Sequence, residues 1–135
     1  MRIEVYLLFN GKAEEAINFY KSCFNGEISF LSRFSESKMP VADEVKNDIM
    51  HATLTVGESV IMVSDSTPEH RVQPGNNVQV SLGYDDIAKM ETEFNKLVQG
   101  GTITLPLQDT FWGSRFGMLR DKFDICWMFS AALKK

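Results

Sequence analysis

Cysteine is scarce: Cys23 and Cys126 are the only two in the chain, and neither stands in a C-x-x-C pair. That usage excludes a disulfide-stapled scaffold and a thiolate zinc site, and reads as two reduced, buried thiols. Histidine is equally rare, with only His51 and His70. No apolar run approaches the roughly 20 residues that a bilayer-spanning helix needs. The opening Met1-Arg2-Ile3-Glu4-Val5 carries an acid and no small-residue cleavage site, so no secretory leader is expected and the expected compartment is the cytoplasm. Positive charge is not concentrated. The 14 lysines and arginines are scattered, and the formal net charge is -4, so neither a nucleic-acid nor a membrane partner is expected. No glycine-rich turn, catalytic triad or other cofactor motif occurs, and no cofactor is expected. What remains is 44% hydrophobic residues with 24% charged, including 10 Phe and 7 Met, enough for a packed core and an apolar cavity wall.

The organisation lies in a repeat. Asn25-Gly26-Glu27-Ile28 closes one helix-then-strand passage, and Gly100-Gly101-Thr102-Ile103 closes another 75 positions later (25 to 100). This period is too long for a solenoid unit. It points to a single α+β domain, 1–135, built from two βαβββ modules: about 1–66 and about 77–130, with a linker over about 66–76. A cleft between the halves would hold the function.

Local patterns place the elements. Arg2–Phe9 reads as a strand, broken by Asn10-Gly11. Ala13, Ala16, Ile17, Tyr20, Cys23 and Phe24 then recur at three- and four-residue spacing, giving one apolar helix face. Strands are expected over 27–34, 48–56 and 59–64, the last two turned through Gly57-Glu58. The second half repeats the order. A strand runs over 78–84, and a helix carries Ile87, Met90, Phe94, Leu97 and Val98 after an Asp85 or Asp86 cap. Strands over 102–107, 113–120 and 125–130 follow, and the final Lys134-Lys135 reads as frayed.

Side chains alternate along a strand, so register decides which residues face the cleft. A two-residue turn at Gly57-Glu58 pairs Val56 with Ser59 and puts His51, Thr53, Met62 and Ser64 on one polar face. The opposite face, with Met50, Ala52, Leu54, Val56, Ile61 and Val63, is expected to lie under a helix. In the last hairpin, pairing Asp121 with Asp124 sets Arg115, Gly117 and Leu119 beside Cys126 and Met128, and leaves Trp112, Phe116, Met118, Trp127 and Phe129 for the core. Asn77, Gln79 and Ser81 form a polar stripe on the strand before the second helix. The expected ligand-binding cleft is therefore lined by His51, Thr53, Met62, Gln79, Arg115 and Met128.

The run Gln108-Asp109-Thr110-Phe111-Trp112-Gly113-Ser114-Arg115-Phe116-Gly117-Met118, then Asp121-Lys122-Phe123 and Trp127-Met128, resembles the signature of the PhnB-like branch of the vicinal oxygen chelate superfamily. That superfamily contains glyoxalase I, bleomycin-resistance proteins and extradiol dioxygenases. Tyr6-Leu7-Leu8-Phe9-Asn10-Gly11, Glu14-Glu15-Ala16, Phe19-Tyr20 and Met50-His51-Ala52 match as well. Asp124 departs from the branch, which has glycine there, but Asp tolerates a left-handed turn residue. The resemblance implies paired βαβββ modules and a homodimer. The branch also carries a methyltransferase-style label, which we set aside because the chain has no glycine-rich strand-to-helix turn for a methyl donor.

Metal-dependent superfamily members place ligands at positions that fall here on Glu4 or Val5, Met62, Gln79 and Met128. Two thioethers, an amide and at most one carboxylate do not suit zinc, nickel or iron, so no metal is expected. The expected function is metal-independent binding of a small molecule, part apolar and carrying an anionic group for Arg115. The alternative is a glyoxalase-like lyase or isomerase with a non-standard metal site or with His51 as base.

Overall fold

The computed structural model describes residues 1–133; Lys134-Lys135, expected to fray, lie outside them. The chain forms two compact units, Met1–Gln73 and Pro74 onward. The first comprises β1 (Val5–Phe9), α1 (Ala13–Phe24), β2 (Glu27–Arg33), β3 (Ile49–Val56) and β4 (Ser59–Asp65). Its four-stranded sheet has the order β1-β4-β3-β2, with β1 parallel to β4 and the other pairs antiparallel.

Every residue of the expected α1 face is buried: Ala13, Ala16, Ile17, Tyr20, Cys23 and Phe24. The helix stops where Asn25 turns left-handed at φ 54°. Its start has no local side-chain cap. Instead Asp65, at the end of β4, accepts from the Ala13 N–H at 2.9 Å and from the Ile49 N–H at 2.9 Å. One buried carboxylate thus joins the helix start to β3 and β4, satisfying donors that would otherwise be orphaned. Asn10 secures the segment after β4: it donates to the Val72 carbonyl at 3.0 Å and accepts from the Ser66 hydroxyl at 2.7 Å.

The Gly57-Glu58 turn gives the expected register, Val56 opposite Ser59 and Thr53 opposite Met62. Leu7, Phe9, Ala52, Leu54, Ile61 and Val63 form the buried, helix-facing side. Met50 is a correction. A bulge pairs Ser32 with His51 but Arg33 with Ile49, so Ile49 takes the buried place and Met50 is displaced to partial exposure.

The second unit repeats the topology with β5 (Val80–Tyr84), α2 (Ile87–Leu97), β6 (Thr102–Asp109), β7 (Ser114–Arg120) and β8 (Cys126–Ala132). The sheet order is β5-β8-β7-β6, with β5 parallel to β8. Asp86 is the α2 cap, accepting from the Lys89 N–H at 3.2 Å. Met90, Phe94 and Leu97 are buried, and Phe94 meets Phe129 edge-on at 5.1 Å. Glycine is obligatory at 101, since a Cβ there would stand 2.2 Å from the Arg120 carbonyl oxygen.

The last hairpin differs from the expected register by one residue. Asp121 pairs with Ile125, not Asp124: its N–H donates to the Ile125 carbonyl at 2.8 Å, and the Asp124 N–H donates back to the Asp121 carbonyl at 3.0 Å. Asp124 adopts φ 70° and adds a third residue to the loop. That single residue flips every side chain of β8 relative to β7. Arg120 now faces Cys126, Met118 faces Met128 and Gly117 faces Phe129. The buried set is therefore Leu119, Trp127, Phe129 and Ala131, whereas Phe116 and Met118 belong to the other face and Trp112 is exposed. No helix among the described residues is long and apolar enough to cross a membrane.

Candidate functional site

The first sheet leaves the face opposite α1 open. The registers align two rows of side chains across it. Tyr6, Met62, Thr53 and Phe30 form one row, paired in sequence across β1, β4, β3 and β2. Leu8 paired with Ser64, and His51 paired with Ser32, lie one step along the same face. Four strands at roughly 4.8 Å spacing make each row about 14 Å wide, the scale of a two-ring aromatic molecule. Tyr6 and Phe30 are 44% and 53% exposed, a large apolar investment on an unburied face.

His51 lies between those rings, 5.4 Å from the Tyr6 centroid and 5.7 Å from that of Phe30, tilted by 46° and 47°. Its Nδ1 is 2.6 Å from the Tyr6 hydroxyl and its Nε2 is 3.2 Å from the Thr53 hydroxyl. Both ring nitrogens are therefore engaged. Burial pushes the Tyr6 phenol above its ordinary range, and the neighbouring Ser64 hydroxyl partly offsets this. His51, Thr53 and Met62 thus come together as expected, and Tyr6 and Phe30 join them. Sequence reasoning missed both. β1 is apolar on its two faces, so alternation does not single out Tyr6, and a bulge between Ile28 and Phe30 sets the side of Phe30.

The second unit distributes its expected site residues over two faces. Ser81 pairs with Met128, on the side away from α2. Gln79 precedes β5 and donates from Nε2 to the Asn76 carbonyl at 3.2 Å; its Oε1 is buried without a hydrogen-bond partner among the described residues. Arg115 is a correction. It pairs with Ala131 and so shares a face with Phe129 and Trp127, under α2, and not with Met128. Its Nε donates to Asp109 at 2.8 Å and its Nη1 to Glu91 of α2 at 2.7 Å. Those carboxylates, Asp109 first, push the guanidinium further above its ordinary range. An open groove of about 360 Å³ borders this pair, lined by Glu91, Asn95, Leu107, Gln108, Asp109 and Arg115. With two acids already on it, Arg115 is a clamp between helix and sheet, and the geometry for a free anion fork on the Met128 face is lost.

The four positions taken for metal ligands do not make a hard or borderline site. β1 begins at Val5, which shares the helix-facing side of Leu7, and the residue that pairs with Met62 is Tyr6. Among the described residues no three His, Cys, Asp or Glu side chains converge. The thioethers of Met62 and Met128 and the Gln79 amide do not fit zinc, nickel or iron.

The sequence pattern of the 3-demethylubiquinone-9 3-methyltransferase family matches residues 1–130. The chain is similar to protein PA1353 from Pseudomonas aeruginosa, with 36% identity, 99% of each chain covered and a TM-score of 0.90. It is also similar to a putative 3-demethylubiquinone-9 3-methyltransferase, the PhnB protein of Bacillus cereus, at 32% identity, 98% of this chain and 100% of the other, with a TM-score of 0.80. A glyoxylase/bleomycin resistance protein/dioxygenase domain from a Frankia species shares 13% identity over 98% of this chain and 97% of its own, with a TM-score of 0.70, and so shares the fold. With two βαβββ units and this match over nearly its whole length, the chain belongs to the 3-demethylubiquinone-9 3-methyltransferase family.

Proposed function

We propose that the chain is a metal-independent small-molecule-binding protein, and that the open face of the first unit receives a planar, part-apolar ligand. The observation that carries this reading is the Tyr6–His51–Phe30 cluster, in which two exposed rings flank a hydrogen-bonded imidazole. Exposed aromatic side chains of this kind supply large contact area at low conformational cost, and Met62 between them adapts to an irregular partner. The methyltransferase wording of the family is not carried over. The strand-to-helix connections are Asn10-Gly11-Lys12 and Asp85-Asp86, neither of them a glycine-rich phosphate or methyl-donor turn. The test is calorimetric titration with naphthalene-2-carboxamide, a neutral two-ring probe. It should bind wild type and bind Phe30→Ala about tenfold more weakly, as expected for loss of one stacking ring. No binding, or equal binding by both proteins, removes the reading.

One observation keeps a second reading, the glyoxalase-like lyase or isomerase. The 2.6 Å Tyr6–His51 contact is a proton-sharing geometry that a binding face does not require. Turnover of a methylglyoxal–thiol adduct by chelator-free protein, lost in His51→Gln, would favour it. We further propose a homodimer in the cytoplasm. Phe111 is 98% exposed beside exposed Trp112, and each sheet has edge strands that association would cover.

A further inference from the structure

We propose that Tyr6, held by His51, is the polar recognition group of the open face, and that it selects planar aromatic carboxylates when the imidazole is protonated. The inference rests on the binding reading above and adds the ligand's chemical class.

Two contacts hold the His51 ring, one at each nitrogen. With a neutral imidazole, two hydrogen arrangements satisfy them equally. Tyr6 donates to Nδ1 while Nε2–H donates to Thr53, or Nδ1–H donates to the Tyr6 oxygen while Thr53 donates to Nε2. In the first, the phenol presents only lone pairs outward. In the second, its O–H turns away from the ring, toward the ligand side and the neighbouring Ser64 hydroxyl. Either way His51 offers no unoccupied nitrogen, so the group through which a ligand meets this pair is the hydroxyl of half-exposed Tyr6.

Protonation removes the choice. An imidazolium carries hydrogens on both nitrogens, so Nδ1–H must donate to the Tyr6 oxygen and the phenol must donate away from the ring. The face then offers one outward O–H backed by a positive charge, which suits a carboxylate oxygen.

Charged residues stand at the ends of this face: Arg2 and Glu4, which precede Tyr6 at two-residue spacing and pair with each other at 3.6 Å, and Glu27, opposite Thr55. Facing the imidazole are Tyr6 from β1, Met62 and Ser64 from β4, Thr53 from β3, and Phe30 and Ser32 from β2. Of these only Tyr6 titrates. Two further charged residues of the strand ends turn to the other side, Asp65 onto the Ala13 and Ile49 N–H groups and Arg33 onto Glu14 of α1. Protonated, His51 is the cation within hydrogen-bond distance of the Tyr6 hydroxyl.

The experiment titrates the full chain with 2-naphthoate and with naphthalene-2-carboxamide, at about pH 5.5 and about pH 8. The naphthoate should bind at least about fivefold more tightly at the lower pH, the scale of a half-exposed charge-assisted hydrogen bond, and the carboxamide should not change. His51→Gln should lose the gain, because an amide cannot take up the proton. Tyr6→Phe should bring naphthoate affinity at the lower pH down to its value at the higher one. Carboxamide binding with no naphthoate gain overturns this inference and leaves the binding reading intact. Failure of wild type to bind the carboxamide overturns both. A full gain surviving in Tyr6→Phe shows that the imidazole meets the ligand directly, and overturns the role given to Tyr6.

Discussion

Single carboxylates settle several local questions in this chain. Asp121 is buried at the last hairpin, with Oδ1 accepting from the Phe123 and Ile125 N–H groups at 2.8 and 3.0 Å and Oδ2 from the Trp127 indole at 2.8 Å. Replacing it by alanine would orphan a buried indole N–H and open the loop, and should cost about 2–4 kcal/mol in chemical denaturation. Two other acids should respond to pH with opposite signs. Glu14 lies below its ordinary range, first through its hydrogen bond with Arg33. A depressed carboxylate contributes stability above its unfolded value, and that stability is lost as pH falls through the folded one. Glu14→Gln should therefore be less stable than wild type at neutral pH and converge with it in acid. Asp48 lies above its ordinary range, first through burial and then through the charge of Asp65, with Arg71 opposing. Its charged form is the disfavoured one, so stability falls as pH rises from the unfolded value through the folded one. Asp48→Asn should be more stable at neutral pH, by less than about 1 kcal/mol given its partial exposure, and lose that advantage in acid. Melting temperatures across a pH series check both signs.

At the scale of the element, periodicity was a good guide wherever one face of a helix or strand meets the core. The α1 face is buried at all six expected positions, and the first hairpin has the expected register. Both misplaced faces come from one extra residue. The bulge beside His51 exchanges Met50 for Ile49, and the left-handed Asp124 shifts β8 by one. Composition does not announce either, because a hairpin loop of two residues and one of three have nearly the same residue preferences. Asp124 itself supports a test. Glycine there would relieve the positive φ while losing the 3.3 Å contact with Arg120. Asp124→Gly should thus be neutral to about 0.5 kcal/mol more stable, whereas Asp124→Val should be destabilised by more than about 1 kcal/mol. Equal stability of the glycine and valine variants in urea would mean that the turn tolerates another geometry.

For the whole molecule, the two units share one strand order, each with its first strand parallel to its fourth. The repeat in the sequence is therefore a repeat of topology. The dimer proposed for the exposed Phe111–Trp112 tip and the open sheet edges gives a plain expectation. Sedimentation equilibrium should return twice 15.3 kDa at micromolar concentration. A Phe111→Ser, Trp112→Ser double variant should shift the balance toward one chain, and an unshifted balance would move the interface elsewhere.

The sequence by itself determined the helices, most of the strands, the α+β class, the repeat and the family, because each is written in local periodicity, turn residues or contiguous motifs. It also determined that His51, Thr53 and Met62 share a face, since a two-residue turn fixes that register by counting. Tertiary structure alone decided which side of the second sheet holds Arg115, that Asp65 caps α1 from 52 residues away, and that Tyr6 and Phe30 flank His51. Those outcomes depend on a bulge, a left-handed residue and pairings between distant strands. Each changes the energy of the chain only once the sheet has formed, so no local pattern records them.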